Sequence, residues 1–396
     1  MGVLKKIYQT ILYIYCQIII FYCCAHPYLT INDNYVLPFL LIGIVLLSFY
    51  KIIYKSKAGK NNFLIYILLF CICLSIIYND FNDIVVYFRL VFSILFSILV
   101  ISTLNFKKIA FHFIKIMNIV CVVSIFGYIF INLLGLIELP TFININNSTY
   151  GNGFIYFYIE GIKNRNCGIF WEPGVFATFV LFDLILNYIL FNNKFKYNII
   201  ILLITMITIN SSAGYLLSVF YLFLLIYNRI RDKKDTFNTL VKFLFIPLVI
   251  VALYVFYYSI SLGNLSNNQF FAKLQYDNFM TSYRIKALSF NFDVLKDNIL
   301  FGCGINEYYS IAPKLLCPDT STSTLFLALF GIFGSLYTII IICNFFKIKK
   351  ISIIEKIILL VIILSIVNKE PHLNMAFSWM LILGINLGDK NKNESY

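Results

Sequence analysis

Apolar residues in this chain come in long unbroken runs, separated by short polar, lysine-rich turns. The runs cover about 7–25, 36–50, 63–79, 84–104, 111–135, 168–191, 198–210, 213–228, 240–262, 323–346, 353–368 and 373–388. Most are near the length that carries a helix across a ~30 Å hydrocarbon core. The pattern predicts an all-α polytopic integral membrane protein with about twelve transmembrane helices, forming a single domain over 1–396. The pair 198–210 and 213–228 is short. It reads as two crossings or as a broken re-entrant hairpin, and either way returns to its starting face. Two polar stretches interrupt the runs, about 136–167 and 263–322. Within the second, Ile285, Leu288, Phe292, Leu295 and Ile299 recur at helical spacing among polar residues. That spacing predicts an amphipathic helix lying on a membrane face and ending at Gly302-Cys303-Gly304. The first run follows Lys5 and Lys6, and Phe21-Tyr22-Cys23-Cys24 lacks the small residues a signal-peptide cut requires, so it reads as a retained membrane helix.

Composition agrees with the pattern and excludes several classes. Hydrophobic residues make up 61% of the chain and charged residues 12%, against roughly 45–50% and 25% in soluble domains. A soluble enzyme, a disordered chain and a nucleic-acid-binding domain are thereby excluded. The net charge is +13, and its distribution sets an orientation. With the N-terminus in the cytoplasm, 22 of the 31 Lys and Arg residues fall in cytoplasmic segments, in clusters such as Lys51–Lys60 and Arg229–Lys242. The positive-inside rule then predicts cytoplasmic termini and places both long loops outside. Most of the ten cysteines sit in apolar runs and read as small hydrophobes. Cys303 and Cys317 share the second outer loop and could pair. With three His in the chain, no metal site and no cofactor are expected.

Charges near or within a bilayer are costly and each is a functional hypothesis. Arg165 and Glu172 bracket the mouth of one span in Arg165-Asn-Cys-Gly-Ile-Phe-Trp-Glu172-Pro-Gly. Pro173 suits the first helical turn, and Glu172 would sit at the positive end of the helix. Glu172 is either a cap paired to Arg165 or a carboxylate beside a sugar acceptor. Asp183 lies eleven residues on, close to three turns, on the same face. It either forms a buried pair with Arg89 or helps bind a diphosphate. Arg284 opens the amphipathic stretch, where it clamps phosphate oxygens or contacts headgroups. Two further clusters flank late spans: Asp319-Thr320-Ser321-Thr322-Ser323-Thr324, suited to helix capping, and Lys369-Glu370-Pro371-His372, where His372 is a base or a cap. Ser211-Ser212-Ala213-Gly214 has no His or Lys partner nearby. No phosphate-cradling Gly motif is present, which argues against an ATP-driven transporter.

Taken together, these features resemble the O-antigen and capsule repeat-unit polymerases, the Wzy family, over most of the chain. The residues that carry the resemblance are Arg165…Gly-Ile-Phe-Trp-Glu172-Pro-Gly, the Ser211 turn, Arg284 and Asn298-Ile-Leu-Phe-Gly302-Cys-Gly-Ile-Asn306. The related O-antigen ligases carry a His where Thr320 stands here, eleven residues before Gly331-Ile-Phe-Gly334. Thr has no titration near neutral pH, which favours polymerase over ligase. The resemblance implies a GT-C-like membrane fold in the bacterial inner membrane. It implies transfer of a growing glycan from undecaprenyl diphosphate to a new lipid-linked repeat unit, with a chain-length regulator as a further partner. On this basis Glu172 is the candidate base. Arg165 and Arg284 are the candidate diphosphate clamps, with Arg89, Asp183 and His372 behind them. A lipid-linked oligosaccharide flippase is the transporter alternative.

Overall fold

The computed structural model describes residues 2–29, 33–54, 63–79, 84–144, 148–231, 279–312, 321–370 and 372–387. The predicted span 240–262, Cys317, Asp319, Thr320, Pro371 and the side chain of Arg284 lie outside the described residues.

The chain is mostly helical. Its first five helices are α1 (Gly2–Ile18), α2 (Asp33–Tyr54), α3 (Phe63–Tyr78), α4 (Ile84–Thr103) and α5 (Phe106–Gly127). A three-stranded sheet follows, then α6 (Pro173–Phe191), α7 (Lys196–Ile209), α8 (Ser212–Arg231), α9 (Phe279–Asp297) and α10 (Gly304–Ile311). The last four are α11 (Thr322–Phe330), α12 (Ser335–Phe346), α13 (Ile353–Lys369) and α14 (Ala376–Gly384). Among the described residues, six stretches are long and apolar enough to cross a membrane: Val3–Cys23, Tyr35–Tyr54, Val85–Thr103, Phe106–Leu133, Pro173–Phe191 and Thr322–Phe346. Phe63–Tyr78 and Lys196–Ile209 are apolar but shorter.

The helix α6 is the axis of the bundle. Every residue from Pro173 to Leu190 is buried, as expected of a helix apolar on all sides. It packs against α5, α7, α8 and α13. Around it Phe113, Phe170, Phe176, Phe179, Phe182 and Phe377 form one continuous aromatic cluster, with the Phe113 and Phe377 centroids 4.6 Å apart. Small residues let neighbouring helices close up, as in membrane bundles generally. A β-carbon at Gly214 would lie 3.3 Å from Ala177 Cβ, and Gly43 lies under the Phe96 ring. Large apolar side chains such as Ile52, Phe63, Phe70, Ile119 and Ile207 point outward and are more than half exposed. A shell of that kind suits hydrocarbon surroundings.

The first long loop departs from the all-α expectation. Strands β1 (Thr141–Ile143), β2 (Thr149–Asn152) and β3 (Phe157–Ile159) pair antiparallel in the order β1-β2-β3. Thr141 pairs with Gly151, and Tyr150 pairs with Ile159. Alternation over three or four residues is too short a signal to separate a strand from a polar loop. Gly151 lies against the Tyr158 ring, where a β-carbon would sit 2.2 Å from a ring carbon. The Tyr150 hydroxyl donates to the Trp171 carbonyl at 2.8 Å, which fastens the sheet to the start of α6.

The pair α7–α8 is a hairpin, its turn at Asn210 in the left-handed region (φ 52°). Its tip meets the loop before α6. Asn166 N donates to Thr208 O, and Asn166 Nδ2 donates to Thr208 Oγ1 at 2.8 Å.

The amphipathic segment forms α9, whose protein-facing side carries Phe290 and Val294 beside a buried Asn291. Ala287 and Asn291 are buried, whereas Leu288, Phe292 and Ile299 are exposed. Of the apolar positions at helical spacing, Leu288, Phe292 and Ile299 therefore face away from the bundle, and Leu295 is half-buried. Past α9 the chain crosses the α11–α12 connection at two glycines. A β-carbon at Gly302 would come within 2.3 Å of Leu329 backbone, and one at Gly331 within 2.3 Å of Leu300 O. Both have positive φ, 70° and 62°, a conformation glycine adopts without strain. The crossing is sealed by Cys303 N to Ala328 O at 3.0 Å and Ile332 N to Ile299 O at 2.7 Å.

Candidate functional site

Polar residues converge where α6 begins. Glu172 is the N-cap of α6, in extended backbone, and its carbonyl accepts from Phe176 N at 3.1 Å. Pro173 takes the first helical position as expected. The Glu172 side chain makes no capping hydrogen bond and is half-buried. Its neighbour there comes from the far end of the sequence. A β-carbon at Gly174 would lie 2.1 Å from Glu370 Oε1 and 3.4 Å from Glu172 Oε1. Two carboxylates thus meet over the one residue in this turn that has no side chain. Lys369 Nζ stands 3.5 Å from Glu370 Oε1 and donates to Gly174 O at 3.2 Å. Lys369 and Glu370 are 8% and 4% exposed. At that depth the cation offsets the Glu370 charge, and removing either partner would leave the other uncompensated.

The turn that carries Glu370 is fastened to α11. Thr322 Oγ1 donates to Glu370 O at 3.1 Å and accepts from His372 N at 3.0 Å. Asn368 caps α11 from the neighbouring helix, its Oδ1 accepting from Ser323 N at 2.9 Å and its carbonyl from Ser321 N at 3.0 Å. The network continues through Thr324, which accepts from Asn291 Nδ2 at 2.9 Å, to the Tyr308 hydroxyl, which donates to Asn291 Oδ1 at 2.6 Å. The Ser/Thr run therefore links α13, α11, α9 and α10.

His372 is fully buried. Its Nδ1 shares a hydrogen bond with Ser378 Oγ at 2.7 Å. Burial, with Lys369 nearby, pushes its pKa down to about 3. The imidazole is neutral at physiological pH and ties the 372 turn to α14.

Arg165 does not pair with Glu172. Its Nε donates to Ile209 O at 3.3 Å, at the end of α7. Arginine suits the negative end of a helix, and the hairpin tip offers that end close by. Asp183 does not pair with Arg89 either. Asp183 is fully buried and accepts from Asn198 Nδ2 of α7 at 3.0 Å. Arg89 faces Cys23 and Cys24 instead, because α4 packs against α2 and α14 rather than against α6. One turn along α4 from Arg89, Ser93 Oγ donates to Asn374 O at 3.0 Å. Arg89 therefore borders the His372 turn. Arg284 lies in α9, two turns before Asn291.

Two residues of the site are not apparent from spacing. Asn166 is fully buried and donates to Ser124 O, Ser124 Oγ and Thr208 Oγ1, while its Oδ1 accepts from Gly168 N. It holds the loop between Arg165 and Glu172 in shape. Glu370 belongs to a cluster visible in the sequence, but its meeting with Glu172 links positions almost two hundred residues apart. Cys167, between Arg165 and Glu172, is fully buried and its thiol is pushed up to about 12 by burial, which keeps it unreactive.

Among the described residues no group of three His, Cys, Asp or Glu side chains is placed to hold a metal ion. No family model, no curated protein and no solved structure matches this chain.

Proposed function

We propose that this chain is a polymerase of lipid-linked glycan repeat units, acting at the outer face of a bacterial inner membrane with both termini in the cytoplasm. The observation that carries the reading is the arrangement over Gly174: a half-buried Glu172 at the rim, backed by the buried Glu370–Lys369 pair. In the proposed reaction a sugar hydroxyl of the incoming unit attacks the anomeric carbon of the growing chain. The C–O bond to undecaprenyl diphosphate breaks, and the diphosphate leaves with the bonding electrons. Glu172 takes the hydroxyl proton as general base. Two carboxylates repel a diphosphate, so the leaving group is held away from this turn. Arg165 and Arg284 serve there, giving charge-assisted hydrogen bonds to phosphate oxygens. With Nε bound to Ile209 O, Arg165 keeps its Nη nitrogens for that role. His372 and Arg89 position the turn rather than touch the substrate. The exposed apolar residues of α9 fit a membrane surface, where a lipid carrier would approach.

The aromatic cluster around α6 supports an enzyme over a flippase, because a flippase requires a polar passage through the bundle. A chain-length regulator remains the proposed protein partner. The test is a gel of surface glycolipids from a strain lacking the gene, beside strains complemented with wild type or Glu172→Gln. Collapse of a ladder to a single repeat unit on the lipid core, restored by wild type alone, is expected. An unchanged ladder in the deletion strain overturns the reading. Accumulation of long carrier-linked polymer replaces it with a ligase.

A further inference from the structure

Deeper along α6 lies a second polar group, which the proposed reaction does not use. Asp183 and Asn187 are one turn apart on α6, and Asn198 is in the first turn of α7. Their exposures are 0%, 0% and 5%. The corner between the two helices brings them together. Asn198 Nδ2 donates to Asp183 Oδ1 at 3.0 Å, and Asn187 Nδ2 donates to the carbonyl of Phe195, the residue just before α7, at 3.3 Å. With those amide donors engaged, three buried acceptors remain. Asp183 Oδ2, Asn187 Oδ1 and Asn198 Oδ1 have no hydrogen-bond partner among the described residues. The groups that face Asp183 from the neighbouring helices are Tyr221 of α8 and Cys121 of α5. Neither is a cation.

Each buried acceptor left unpaired is costly, and a buried carboxylate charge costs far more. Among the described residues no cationic side chain is paired with Asp183. One formal negative charge shared among three buried oxygens is the chemistry of a small monovalent cation. A proton on Asp183 would satisfy one oxygen and donate to one other, leaving the third unpaired. A divalent ion would leave a net positive charge buried.

We propose that Asp183, Asn187 and Asn198 form a binding site for one dehydrated monovalent cation at the α6–α7 corner. A pocket of about 300 Å³ lies toward the end of α6 opposite Glu172. Tyr188, next to Asn187, borders it with Asn192, Asn228, Lys350 and Glu355. The ion ties the start of α7 to α6, and so sets the depth at which the α7–α8 hairpin tip meets Arg165. The inference does not depend on the glycan reading.

The test is a thermal unfolding titration of the purified full-length protein in detergent. Lithium, sodium and potassium chloride are each compared with N-methylglucamine chloride at equal ionic strength. A saturable rise in Tm with one of the three is expected. Asp183→Asn should abolish that response, and Asn198→Ala should shift its midpoint to higher concentration. A wild-type protein indifferent to all three cations overturns the proposal and leaves Asp183 protonated. A response of undiminished size in Asp183→Asn overturns it too, by placing the ion elsewhere. Because the readout is binding, it stands or fails separately from the glycolipid ladder.

Discussion

Two carboxylates on opposite ends of the α6 neighbourhood show how position decides what an acid does. Glu172 lies at the start of α6, half-buried, with a second acid and a lysine beside it. Glu355 lies at the other end of the bundle, in the first turn of α13, and is buried. Its Oε2 accepts from Ser352 N at 2.6 Å, its other oxygen accepts from the Tyr188 hydroxyl, and Ser352 Oγ caps its own backbone N–H. Glu355 is a closed structural joint, both oxygens committed to protein donors. Glu172 leaves the capping role to its backbone, and its carboxylate stands beside Glu370 at the rim of the helix start. Two acids at helix starts thus differ in how they cap: one with its side chain, the other with its backbone alone.

The sharpest way to break this comparison is to remove the charge of each acid. Glu172→Gln should lower polymer formation about 10²–10⁴-fold, the usual range for losing a general base, with Tm unchanged. Glu172→Gln with a normal ladder would remove it as the base. Next in size is Gly174→Ala, which places a methyl group 2.1 Å from Glu370 Oε1. Overpacking of this kind costs about 1–3 kcal/mol, so Tm should fall and polymer should decrease together as Glu370 is displaced. Glu355→Ala, which removes both accepting oxygens, should do the reverse of Glu172→Gln. Losing the capping box costs about 1–2 kcal/mol, visible as a lower Tm while the protein that remains folded still polymerises.

The smallest expected effect concerns pH. His372 titrates at about 3 in the folded protein, against 6.5 when unburied, and His26 is likewise lowered, to about 4, by burial. The unfolded chain therefore binds more protons between those values, and stability must fall as pH drops below about 6.5. His372→Gln should flatten the part of that decline that belongs to His372, leaving the share of His26. A decline of the same size in His372→Gln would show that the buried imidazole is not its source.

The readable part of the site was its local part. Pro173 after Glu172 marked the helix start, and Pro173 does occupy the first position. The spacing of Leu288, Phe292 and Leu295 marks a helix, and one forms there, with Leu288 and Phe292 exposed and Leu295 half-buried. Both signals depend on residues within a few turns of each other. The pairing of Asp183 with Arg89 and of Glu172 with Arg165 needed knowledge of which helices touch, and both took other partners. The Gly331-Ile-Phe-Gly334 spacing was read through an enzyme motif, yet Gly331 serves a backbone crossing with Gly302.

The sequence by itself determined that the chain is built from long apolar helices. Unbroken hydrophobic runs leave the backbone no other way to satisfy its hydrogen bonds away from water. It determined as well where α6 begins and which acid stands at its N-cap. Only the tertiary structure decided that Glu370 and Lys369 close over Gly174, that Asp183 meets Asn198, and that the first long loop forms a sheet fastened to Trp171. Those pairings depend on which helix faces pack together, and a periodic pattern says which face is buried but not against what.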